Sequence, residues 1–121
     1  MGLDTFAAHL PDDIELTEED TQAFLEANIA LCGGMLSGGG NNGSFRGKVY
    51  VMLLLEITGE SLNDEWLPPE TVRKMYDSLM ACDPEDAIAR WDYGNTVAEM
   101  LELRKFFRVC SERGLGLVGW S

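Results

Sequence analysis

Four helix-start signals constrain this chain more than any other feature of its sequence. Thr17-Glu18-Glu19-Asp20 places a capping hydroxyl ahead of an acidic first turn, and Thr96-Val97-Ala98-Glu99 is a full capping box. Pro68-Pro69-Glu70 and Asp83-Pro84-Glu85-Asp86 put proline at the first helical position, where its missing N–H costs nothing. With Gly33-Gly34, Gly59 and Gly114 as stop signals, these predict helices over 18–31, over 48–58, from 69 past Met80, from 84 to about Trp91 and from 97 to about Arg113.

The apolar spacing says which faces turn inward. Phe24, Ala27 and Leu31 with Leu25, Ile29 and Cys32 form one side of the first helix, and Glu18, Glu19, Gln22 and Glu26 the other. In 48–58 Val-Tyr-Val favours a strand, but Leu-Leu-Leu-Glu-Ile-Thr-Gly reads as a helix; we expect a helix buried on most sides. Val72, Met75, Tyr76, Leu79 and Met80 repeat at helical spacing, as do Met100, Leu103, Phe107 and Cys110, with Arg104, Lys105, Arg108 and Arg113 set to favour the last helix's carboxyl end. Both termini, GLDTFAA and GLGLVGWS, are short and apolar and can pair as two strands. The expected fold is therefore mainly α (α+β): four or five helices around one core, packed by Leu25, Ile29, Leu53, Met75, Leu79, Leu103 and Phe107, with a small two-stranded sheet from the termini. A length of 121 residues fits one domain over 1–121.

The stretch CGGMLSGGGNNGSFRGKVY, residues 32–50, interrupts this helical text with seven glycines. A loop over about 33–47, anchored by Met35, Leu36 and Phe45 and turned by Asn41 and Asn42, reads first as a compact connection. Its second reading is a contact for a small molecule or partner through Asn41, Asn42, Ser44 and Arg46, since Arg46 and Lys48 make a small basic spot in an acidic chain. The run Asn42-Gly43-Ser44-Phe45-Arg46-Gly47-Lys48-Val49 falls short of a phosphate loop. Asn42 stands where glycine is needed, and Val49 where Ser or Thr must meet magnesium.

No motif identifies a reaction, and we assign no catalytic residue and no cofactor. His9, the single histidine, has no Cys or Ser at nucleophile spacing and reads as a solvated side chain. Asp12, Asp13 and Glu15 lack the spacing of a calcium loop, so no structural metal is expected. Cys32, Cys82 and Cys110 are an odd, widely spaced set, read as reduced thiols lying mostly in the core. The longest apolar run, VYVMLLL, is far below the roughly 20 residues of a membrane span. The first residues lack a signal-peptide pattern, and the expected location is the cytoplasm.

Charge carries the functional reading. Residues 1–45 hold eight acidic side chains and neither Lys nor Arg, so they account for −8 of the formal net charge of −12. Such a field repels phosphate backbones and anionic membranes, which excludes direct nucleic-acid and membrane binding and favours a basic protein partner. The candidate contact residues are Asp12, Asp13, Glu15, Glu18, Glu19 and Glu26.

The segments MGLDTFA, GGMLSGGGNNGSFRGKVY and RKFFRVCSERGLGLVGWS resemble an uncharacterised family of short bacterial and phage proteins, a likeness that implies no activity. In size and acidity alone the chain is similar to anti-CRISPR proteins. That likeness implies an inhibitor that masks a basic, nucleic-acid-binding surface on a partner complex. The alternatives are a small-molecule-binding protein or enzyme working at the glycine loop, and an immunity or accessory protein specific for one partner.

Overall fold

The computed structural model describes residues 4–13, 15–33 and 38–120. Its elements run β1 (Asp4–Ala8), α1 (Glu18–Ala27), β2 (Ser44–Phe45), a 3-10 turn (Gly47–Val49), α2 (Val51–Thr58), β3 (Trp66–Leu67), α3 (Pro69–Ala81), α4 (Pro84–Arg90), α5 (Val97–Arg113) and β4 (Gly116–Trp120). The class is α+β, with five α-helices among the described residues. The two terminal segments do pair, antiparallel, with Phe6 opposite Val118 and Ala8 opposite Gly116. The sheet is larger than the two strands expected: its order is β2-β1-β4-β3, because the pairs Ser44-Phe45 and Trp66-Leu67 add a short edge strand on either side. Two-residue strands leave almost no period-2 pattern to read.

The start signals act as their chemistry requires. Thr17 and Thr96 each close a capping box, Asp83 accepts from the Glu85 amide, and Pro69 and Pro84 open their helices. Gly59 and Gly114 end α2 and α5 in the left-handed conformation. The first helix departs from expectation, ending at Ala27 rather than 31. Asn28 takes the left-handed cap (φ 53°), because its short polar side chain tolerates that region. Residues 29–32 then leave the helix and bond to the glycine loop. Ile29 N donates to Asn41 Oδ1 at 2.7 Å, Leu31 N to Gly39 O at 2.7 Å, and Arg46 N to Cys32 O at 2.7 Å.

α5 lies at the centre of the core. Phe106 is fully buried, with Phe24 at 5.0 Å and Phe45 at 4.8 Å between ring centroids, so one side chain joins α1, β2 and α5. Ile29, Leu53, Met75, Leu79, Leu103 and Phe107 are buried as expected. Leu25 is not: 51% of it is exposed, because the inward side of α1 is narrow and Phe24 fills it. Met80 is likewise half-exposed, and α2 presents Met52 and Leu55 outward, so that helix is buried on one side only. Cys110 is buried, Cys82 half-buried and Cys32 exposed, which leaves one of the three thiols fully in the core.

The basic side chains of α5 serve other helices as well as their own. Arg104 donates to Leu79 O at 3.1 Å and to Cys82 O at 2.5 Å, so it satisfies carbonyls at the end of α3. Lys105 reaches Asn28 O at 3.4 Å, just past the end of α1.

Candidate functional site

The site is built around the start of α1. β1 ends at Ala8, and the chain turns through residues 9–13, where Asp13 N donates to Leu10 O at 3.2 Å. It then enters α1 at Thr17, whose hydroxyl accepts from Asp20 N at 3.1 Å. Asp20 returns the bond, its Oδ2 accepting from Thr17 N at 3.2 Å. The same carboxylate is 1% exposed and holds two further groups. Arg113 Nε donates to Oδ1 at 2.5 Å from the far end of α5, and His9 Nε2 lies 2.6 Å from Oδ2 at the end of β1.

Burial pushes the Asp20 carboxyl up, but the bonds from Arg113, His9 and Thr17 outweigh it and hold it at about 2. Asp20 is therefore an anion that ties three elements together. His9 is not simply solvated: 42% of its side chain is exposed, with one ring nitrogen held against Asp20. Sequence reasoning gave Asp20 only a helix-start role. The signal available was its place three residues after Thr17, but nothing local pointed to Arg113, 93 positions away.

Asp12, Asp13, Glu15, Glu18, Glu19 and Glu26 are all exposed. None has an ion-pair partner among the described residues. Glu15 N donates to Asp13 Oδ1 at 3.1 Å, and Gln22 Nε2 donates to Glu26 at 3.3 Å. Glu18 and Glu19 benefit from the positive end of the α1 dipole. Glu26 does not, since it sits in the last turn, where a negative charge is unfavourable.

Three of the glycine-loop candidates, Asn41, Asn42 and Ser44, are placed together and spend hydrogen bonds on the loop and on the chain after α1. Asn41 Oδ1 caps Ile29 N; Ser44 Oγ donates to Asn42 Oδ1 at 2.8 Å and accepts from Gly38 N at 3.2 Å. Gly40 (φ 107°) and Gly43 (φ 81°) occupy backbone that other residues rarely adopt, and a Cβ on either would overlap Ile29 or Leu16. Met35 and Leu36, the other expected anchors, lie outside the described residues.

A second polar link lies under this loop. Tyr50 is buried; its hydroxyl accepts from Cys32 N at 2.9 Å and donates to Glu99 Oε2 at 3.0 Å, while Glu99 Oε1 accepts from Thr96 N at 3.0 Å. Burial, helped by the Glu99 charge, pushes the Tyr50 phenol above its ordinary value, so it stays a donor. Burial also raises Cys110, with the Asp20 charge adding to the effect; that thiol is inert at neutral pH.

Among the described residues no group of three or more His, Cys, Asp or Glu side chains is arranged to hold a metal ion, and no helix is long and apolar enough to cross a membrane. No family model, curated protein or solved structure matches the chain.

Proposed function

We propose that this protein acts by binding a basic surface on a partner protein through the acidic face formed by residues 12–26, in the manner of an anti-CRISPR inhibitor that masks a nucleic-acid-binding groove, in the cytoplasm. One observation carries the reading. Acidic side chains stand at the start of α1, Glu18 and Glu19, and again at Glu26 in its last turn, past the point where the helix dipole favours them, and none has an ion-pair partner among the described residues. Charge of one sign gathered on a surface steers an oppositely charged partner toward it.

The basic groups that could have neutralised this face are occupied elsewhere. Arg104 is spent on α3, Arg113 on Asp20, Lys105 on Glu102 at 2.9 Å and Arg108 on Glu112 at 3.6 Å. At Asn41, Asn42 and Ser44 the glycine loop offers less to a ligand, because these side chains already hold hydrogen bonds within the protein.

The test is a salt-dependent capture from host lysate, followed by interferometry with the captured partner. Replacing Glu19 and Glu26 with Lys should slow association about tenfold or more at low salt, with circular dichroism unchanged; an Arg46→Ala control should bind as the parent does. If the double reversal associates as fast as the parent, the acidic face is only a solvated surface. A partner held equally well at high salt points instead to an immunity or accessory protein that recognises shape.

A further inference from the structure

Beside the charges of α1 runs an open groove of mixed lining, with apolar side chains between charged rims. Two adjoining depressions share Ala23 and Glu26 and together follow α1 from Leu16 to Ala27. The floor consists of Leu16, Ala23, Ala27 and, from α5, Val109. Ala23 and Ala27 lie four residues apart on one side of the helix, half-buried against the core, and their short side chains keep the floor low. α1 has 10 residues and is thus about 15 Å long, enough to flank nearly three turns of a second helix.

The rims are unequal. On the α1 side Glu18, Glu19 and Glu26 have no ion-pair partner among the described residues. On the α5 side every cation lining the groove already faces an acid: Lys105 faces Glu102, Arg108 faces Glu112, and Arg113 faces the buried Asp20. The groove therefore keeps a net negative wall beside an apolar floor. A flat basic surface would use only the wall, whereas an occupant that uses both must carry apolar and basic groups on one narrow edge.

We infer that the groove between α1 and α5 seats one amphipathic helix of the partner, with small apolar residues at i, i+3, i+4 and i+7 flanked by Lys and Arg. The inference rests on the acidic-surface reading and adds to it the shape of the docking element. Wall charges attract the helix from a distance, and the floor selects it once it arrives.

The probes are two 15-residue peptides of identical Ala, Leu, Lys and Arg composition, one with the apolar seam and one scrambled so that no seam exists, followed by fluorescence anisotropy at low salt. The parent should bind the seamed peptide at least tenfold more tightly than the scrambled one, and the peptide should gain helical circular dichroism on binding. Ala27→Gln fills the floor without changing charge at a half-buried helix position; it should remove the preference while leaving the weak binding of the scrambled peptide as it was. Equal binding of both peptides by the parent would overturn the groove and leave the acidic-surface reading standing. Failure of the Glu19→Lys, Glu26→Lys protein to lose affinity for the scrambled peptide would overturn that reading as well. Absence of binding by either peptide to the parent would sink both.

Discussion

Replacing Asp20 with Asn removes one charge while keeping the shape of the side chain, and so imitates protonation in place. The carboxyl is held at about 2 against an ordinary 3.8. A depression of nearly two units corresponds to roughly 2–3 kcal/mol of stability at neutral pH. Removing one member of a buried ion pair can cost about 3–5 kcal/mol. The lower figure applies here, because the Arg113 side chain is 34% exposed and can turn its unpaired charge to water. For 121 residues the unfolding entropy is about 0.25 kcal/mol per degree, so Tm should fall by about 8–12 °C at pH 7. The folded-state value is the depressed one, so this stability is complete above the ordinary aspartate value and is lost as pH falls through the folded value. The part of the gap that comes from the Asp20 charge should therefore be present at pH 5 and close between about pH 4 and pH 2. Thermal melts of both proteins across that range measure it. A loss under about 3 °C at pH 7, or a gap that persists unchanged to pH 2.5, would refute the account of Asp20 as a buried anion holding Arg113 and His9.

Phe106→Ala should cost about 3–5 kcal/mol by denaturant titration, because it empties the contact between Phe24 and Phe45 at the centre of the core. Gly40→Ala should cost about 2–4 kcal/mol, combining positive-φ strain with the overlap on Ile29; a melt within a degree of the parent would show that the loop relaxes freely. Tyr50→Phe removes the acceptor for Cys32 N and a donor to Glu99, for an expected loss of about 1–3 kcal/mol and faster exchange of the Cys32 amide with deuterium.

The helix starts were legible because their chemistry is local. A threonine or aspartate three residues from its partner, or a proline at the first helical position, carries its own hydrogen-bond account within a few residues. The end of α1 was not legible, although its signal, Asn28, was in plain view. Ile29 and Leu31 continue the apolar spacing and are indeed buried, but on extended chain that bonds to Gly39, Asn41 and Arg46. At Ile29 and Leu31 periodicity marked burial and missed conformation, while at Leu25 and Met80 it marked the helix and missed the exposure; for 29–32 only the partners supplied from the loop decide. Phe106 shows the same limit from the other side. Helical spacing picked out Phe107, but α5 is surrounded by enough elements that adjacent Phe106 and Phe107 are both fully buried.

The excess of acid in residues 1–45 could be read from residue types alone, but which carboxylates face outward could not, since Asp4 and Asp20 of the same segment are buried. Nor could the electrostatic strength of the acidic face, because that depends on where the cations of α5 go. Arg113 lines the depression beside Glu18 and Glu19 and would partly neutralise it if its guanidinium were free. Asp20 prevents this by holding Arg113 from below, so one buried carboxylate both fastens α1 to α5 and keeps the outer wall negative. The two roles are coupled in sign. Asp20→Asn releases a cation toward the groove as it loosens the fold, and at a temperature where the variant is still folded it should bind a basic probe more weakly than the parent does. A protein in which Arg113 is also replaced by Gln should regain that affinity without regaining Tm, because removing the freed cation restores the wall but not the clasp.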